Sequence, residues 1–293
     1  MHTIVLTILL AAILSFLAPP WGHALRRIGP WIWAAPPGLT ACFAAAAALA
    51  GVRSLTLDVM VLLYTVAPVA CAAWAAHRAP PAAAGPPQAL DFLAILLLWL
   101  PIEFGAGQSL IPRPAQGFLH SVAYGIAILL GLAIFLGYRG FPGLKYNCPH
   151  ARRDLWLPLA GFVLLAPVLI VLGIAIGFLP LPHLPVQSAG RMAAAAGIIF
   201  AGTAIPEEIL FRSLIQNLLM QRFGPGPRTL LAASVIFGCA HLDNGPQALP
   251  NWRYAILATI AGWAYGKVFE KSSTVVSSAL LHTLVDWTKH FYF

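Results

Sequence analysis

The chain has 293 residues, 60% of them hydrophobic and only 9% charged, against roughly half and a quarter in soluble domains. Its formal charge of +8 comes from Lys and Arg scattered through short connections, which speaks for membrane topology and against a nucleic-acid partner. The four cysteines, Cys42, Cys71, Cys148 and Cys239, show no CxxC spacing, so neither a disulfide framework nor a zinc finger is expected.

Apolar stretches long enough for membrane helices run near 3–20, 31–51, 55–77, 89–104, 118–138, 155–180, 192–221, 229–242, 252–269 and 273–290. The expected fold is therefore an all-α, polytopic transmembrane bundle of about eight to ten segments. Residues 1–18 lack a Lys or Arg n-region and "PPWGH" is a poor cleavage site, so the first helix is expected to be retained. Pro- and Gly-rich connections separate the segments, among them "HRAPPAAAGPPQ", "LPLPHLP" and "FGPGPR". Arg26, Arg27, Arg78, Arg139, Lys145, Arg152, Arg153, Arg222, Arg228, Lys267 and Lys271 fall in one set of alternate connections. Arg53, Arg113, Arg191, Arg253 and Lys289 fall in the other. The larger set is expected to be cytoplasmic, with both termini outside if all ten segments span. The tryptophans of "WIW" at 31–33, Trp252 and Trp287 read as anchors at the membrane surface, where His120, His183 and His290 also belong by their position at segment edges.

With nine acidic residues in all, each is informative. Asp58, Asp91 and Glu103 sit near segment ends, where half-burial is expected. Glu207 and Glu208 do not: they lie inside "AGTAIPEEILFRSLIQ". Glu208 and Arg212 are one helical turn apart, a spacing suited to an ion pair, while Glu207 points about 100° away from Glu208 and is left outside that pair. A charge near the bilayer centre costs roughly 2.5–3.5 kcal/mol on insertion scales, so Glu207 should be protonated or face a polar cavity. Pro206 is expected to interrupt the helix and to start a new segment whose N–H groups favour carboxylates.

Two more one-turn pairs follow in apolar segments: Phe237 with His241 in "FGCAH", and His282 with Asp286 in "HTLVD". Polar groups at membrane depth face the bundle interior, so Glu207, His241, His282 and Asp286 are expected around one buried, hydrated site. A carboxylate beside imidazoles suits activation of water and stabilisation of an oxyanion. Phe237 reads as a packing residue and Cys239 as a small buried hydrophobe.

The three stretches in this order resemble the EExxxR, FxxxH and HxxxN/D signature of the CAAX protease and bacteriocin-processing (CPBP) family of intramembrane endopeptidases, which includes the prenyl-protein type. The likeness covers residues 190–290 and implies an N-terminal set of transmembrane helices at 1–188 and a catalytic transmembrane core at 189–293. It implies Glu207 as the base that activates water, His241 as its partner, and His282 with residue 286 as the oxyanion group. Glu208, Arg212 and Phe237 would support the site. Position 286 is Asp, where the better-known members carry Asn; Asp must be protonated, orient His282 or bind something positive. Glu207, His241, His282 and Asp286 could also ligate zinc, but HExxH is absent and a cofactor-free mechanism is favoured.

The expected function is hydrolysis of a peptide bond in a membrane-associated or lipidated protein, in a bacterial cell membrane by its compactness and its Ala, Pro and Gly content. A proton-coupled transporter or a non-catalytic bacteriocin-immunity protein is the alternative, since intramembrane acids and histidines also build proton relays.

Overall fold

A computed structural model describes residues 1–78, 85–245 and 247–293. Part of "HRAPPAAAGPPQ", residues 79–84, therefore lies outside the described residues. Those described form helices joined by turns and loops, with no strand among them. Packing divides the chain into two compact units, Met1–Leu144 and Lys145–Phe293. This boundary reflects packing alone.

The first unit contains α1 (His2–Ser15), α2 (Pro19–Leu25), α3 (Gly29–Leu49), α4 (Leu55–Arg78), α5 (Ala89–Glu103) and α6 (Arg113–Tyr138). Proline stands in the first turn of α2 and of α6, where its missing N–H costs nothing. Before Pro19, Ala18 is extended, as the residue preceding a proline prefers, and α1 and α2 meet at 88°. Leu9, Phe43, Ala47, Leu57, Val61 and Leu119 pack the core of this unit. Asp91 is fully buried and not half-buried as its place near a segment end suggested. Arg139 holds it through two bonds, Nε to Oδ1 at 2.8 Å and Nη2 to Oδ2 at 3.1 Å. Arg139 is thus an ion-pair partner as well as a topological charge. A bidentate fork is what allows two charges to be buried together.

The second unit contains α7 (Arg153–Ala175), α8 (Ala189–Phe223), α9 (Pro227–Cys239), α10 (Trp252–Lys271) and α11 (Val275–Tyr292). Among the described residues five helices are long and apolar enough to cross a membrane (α3, α4, α6, α7 and α8), and six spans result if the bent pair α1–α2 is one. The protein is an integral, multi-pass membrane protein, and each of the ten apolar stretches corresponds to a helix or helix pair. The stretch at 229–242 forms a 13-residue helix that starts two residues earlier, at Pro227, and ends three earlier, because the chain turns after Cys239.

Two polar ties fix the ends of α10 and α11. Lys145 Nζ donates to the carbonyls of Phe269, Glu270 and Ser272 at 2.6, 3.1 and 3.0 Å. A cation at a helix C-terminus satisfies orphan carbonyls and opposes the helix dipole. Asp154, fully buried at the start of α7, accepts from Ser273 N at 2.8 Å, and its carbonyl accepts from Ser277 Oγ at 2.8 Å. The α10–α11 connection is thereby bound to α7. These ties set the height at which α11 presents His282 and Asp286.

Pro206 does not break α8. The helix widens into π turns at Phe200–Ala204 and Ile209–Gln216, with the α-helical turn Ile205–Glu208 between them. The wider register absorbs the proline ring and the lost N–H, which α geometry would answer with a kink. As expected, Pro206 stands in the first turn of the short segment that carries both glutamates.

Candidate active site

The site begins at the two glutamates of α8. Glu208 and Arg212 pair at 3.0 Å, Oε2 to Nε, and both side chains are 0% exposed. Arg212 lies over the ring of Phe237, 4.8 Å from its centroid, and its two terminal nitrogens have no hydrogen-bond partner. An aromatic face partly replaces those bonds, because its quadrupole attracts the guanidinium. Phe237, 1% exposed, also meets Phe211 edge-on at 4.9 Å and lies 5.9 Å from the ring of His282. It is a packing residue, and it is the one against which the charged groups of three helices are set.

His282 is the centre of the polar cluster. Its Nδ1 is 3.1 Å from Glu208 Oε1, and its Nε2 is 3.4 Å from Asp286 Oδ2 and 3.9 Å from Glu207 Oε2. Tyr265 stacks on its ring at 4.8 Å. Both nitrogens face carboxylates, and a histidine donates from both only as the imidazolium. The three carboxylates differ in access: the side chain of Glu208 is 0% exposed, against 23% for Glu207 and 30% for Asp286. Glu207 and Asp286 are thus part-exposed and Glu208 is sealed.

His241 stands just past the end of α9. Its Nδ1 is 2.8 Å from the carbonyl of Phe237, one turn back. Donation through Nδ1–H leaves the Nε2 lone pair available, as a base requires. Tyr254 meets its ring edge-on at 4.6 Å.

His241, His282, Asp286 and Phe237 line one cavity of about 70 Å³. The remaining wall is mostly apolar, with Phe162, Leu169 and Ile170 from α7, Phe178 and Leu179 after it, and Leu257 and Ala261 from α10. Glu207 is not part of this wall and reaches the cluster beside His282. The expected residues are thus brought together, and the contact from Glu208 to His282 adds a role to a glutamate assigned only to Arg212.

Some residues sit differently from their expected places. Lys289, read as a connection charge, lines the cavity; the series His282, Asp286, Lys289 keeps one helix face and is the signal that could have found it. Trp287, read as a surface anchor, donates its indole N–H to the Met192 carbonyl at 2.9 Å, tying α11 to α8. Cys239 is exposed and not a buried hydrophobe; two residues after the inward Phe237, it points about 200° away from it. Tyr254 and Tyr265 were not singled out, since nothing in their local spacing marks a contact made across helices.

Among the described residues no group of three or more His, Cys, Asp or Glu side chains is disposed to hold a metal ion. Glu207, His241, His282 and Asp286 do not fit a zinc shell in this arrangement.

Residues 189–288 match the family described as type II CAAX prenyl endopeptidase Rce1-like. The match takes in α8, α9, α10 and most of α11, about a third of the chain. No curated protein and no solved structure matches the chain.

Proposed function

We propose that the chain, whose residues 189–288 match a family of prenyl-protein endopeptidases, is an intramembrane endopeptidase hydrolysing a peptide bond of a membrane-associated or lipidated protein. The observation that carries this reading is the convergence of His241, His282 and Asp286 on one apolar cavity, with Glu207 beside His282.

In the proposed reaction Glu207 takes a proton from water, aided by the Nε2 lone pair of His241, and the hydroxide attacks the scissile carbonyl. The oxyanion that forms accepts from the Nε2–H of His282, which leaves its long 3.4 Å contact with Asp286 for it, while Glu208 on Nδ1 keeps the ring oriented. Collapse of the tetrahedral adduct breaks the C–N bond, and the proton held on Glu207 passes to the leaving amine. The accessible glutamate has the proton-transfer role and the sealed one the orienting role. The apolar wall suits a lipid-borne or hydrophobic peptide and keeps bulk water from competing for the polar groups.

The test uses an internally quenched, S-farnesylated peptide with detergent-solubilised protein. Native protein should cleave it, and Glu207→Gln and His241→Ala should each lower kcat/KM by at least about a hundredfold, the usual range for a lost general base. If the two activate one water together, the double variant should be no worse than the poorer single variant. Cleavage by folded Glu207→Gln at the native rate would refute the assignment.

A further inference from the structure

The connection from α7 to α8 carries a side-chain pattern that the proposed reaction does not use. Its stretch "LPLPHLPV", residues 179–186, leaves Leu181, Leu184 and Val186 exposed at 76%, 86% and 92%. None of the three lines the cavity. Three large apolar side chains turned outward within six residues are costly in water and mark a surface that something apolar covers. Val163, Leu164 and Val171 are exposed in the same way on α7, a helix long and apolar enough to cross the membrane, where lipid covers them.

We propose that residues 180–186 form a lipid-inserted loop, seated at the boundary between headgroups and acyl chains, with Leu181, Leu184 and Val186 as its anchors. Lipid is the occupant of this surface because the loop is continuous with two spanning helices. It leaves α7 and enters α8, so both of its ends lie at the membrane surface. The backbone sets the depth. Irregular backbone is excluded from the hydrocarbon core, where an unpaired N–H finds no partner. Pro180, Pro182 and Pro185 carry no N–H, and His183 donates its own to the Tyr292 carbonyl at 2.9 Å. Among the described residues that leaves the amides of Leu181, Leu184 and Val186 for headgroup or water oxygens, a demand that the interface meets and the core does not. A second segment agrees with that level. Gln247 Nε2 donates to the Phe178 carbonyl and Arg253 Nη1 to the Gly177 carbonyl, both at 3.3 Å, which ties the start of α10 and the connection before it to the foot of the loop. Leu249 and Trp252 are exposed there as well, and tryptophan favours the headgroup level. The inference stands apart from the peptidase reading, since it concerns where the loop lies and not what the cavity cleaves.

The experiment places an environment-sensitive nitrobenzoxadiazole label on single cysteines, Leu181→Cys, Leu184→Cys and Val186→Cys, in the whole chain with Cys42, Cys71, Cys148 and Cys239 replaced by alanine. Lys271→Cys, exposed in the connection between α10 and α11, is the water-facing control. Each labelled loop position is exposed, so no packing contact is removed, and the melting temperature in detergent should stay that of the cysteine-free protein. The protein is reconstituted in phosphatidylcholine and phosphatidylglycerol vesicles that carry a lipid spin-labelled either near the headgroup or near the chain end. All three loop labels should emit to the blue of the control and be quenched more strongly by the shallow spin label than by the deep one. With Leu181→Ser and Leu184→Ser added, the label at Val186→Cys should lose most of its blue shift; an unchanged shift would show that the leucines are not the anchors. Emission at the control's wavelength without quenching would put the loop in water and overturn the proposal. Blue-shifted emission that neither spin label quenches would mean that protein covers this surface, such as a second copy of the chain, and would overturn it equally. Stronger quenching by the deep spin label would overturn the interfacial depth.

Discussion

Arg212 is the residue whose loss should separate structure from chemistry. Its Nε bonds to Glu208 while the rest of its guanidinium rests on Phe237, so Arg212→Ala leaves Glu208 buried with only His282 as its charged partner. Breaking one side of a buried pair costs about 3–5 kcal/mol, and the melting temperature in detergent should fall sharply. Arg212→Lys should recover little of it, because a lysine has neither the planar fork nor the face that stacks on a ring. A fully stable Arg212→Ala protein would contradict the structural role. Asp286 makes the opposite prediction. At 3.4 Å from His282 Nε2 it can act by orientation, which an amide oxygen also provides. Asp286→Asn should therefore keep substantial cleavage, and native activity should persist in a strong zinc chelator; an inactive Asn variant with a chelator-sensitive native enzyme would overturn this reading.

At the scale of elements, close approach of α9 and α10 sets the depth of the site. A Cβ on Gly238 would lie 2.6 Å from the Ala255 carbonyl oxygen, backbone against helix, so Gly238→Ala must push the two helices apart. Overpacking of this kind costs about 1–3 kcal/mol. Because Phe237 and His241 flank that glycine, cleavage should fall together with the melting temperature. Gly197, in α8, has nothing within 4 Å of such a Cβ, and Gly197→Ala should be neutral or slightly stabilising from helix propensity alone. Equal melting temperatures for the two variants would refute the packing argument. What spacing reveals at this scale is what lies on one helix: Glu208 with Arg212, Phe237 with His241, and His282 with Asp286 were each legible one turn apart. The stacking of Tyr265 on His282 was not, since it joins α10 to α11 and no local period encodes it. Nor were the π turns around Pro206 legible, because the assumption of 100° per residue presupposes the α register that the proline displaces.

For the whole molecule, apolar length and breaker residues were enough to find the helices and the membrane class, since both follow from composition. The packing boundary at 144/145 was harder to read, because α7 has no polar signature of its own and joins the motif helices through Asp154 and its bonds to Ser273 and Ser277. The function rests on a smaller share of the chain, the four helices that carry the site and match the family. Its central claim is that Glu207 delivers water to a peptide carbonyl. The most direct measurement is cleavage of the farnesylated peptide in ¹⁸O-labelled water by native and Glu207→Gln protein of equal melting temperature, with the products weighed by mass spectrometry. The account predicts one ¹⁸O in the new carboxylate of the native product and no product from the variant. Labelled product formed by Glu207→Gln at the native rate would contradict it.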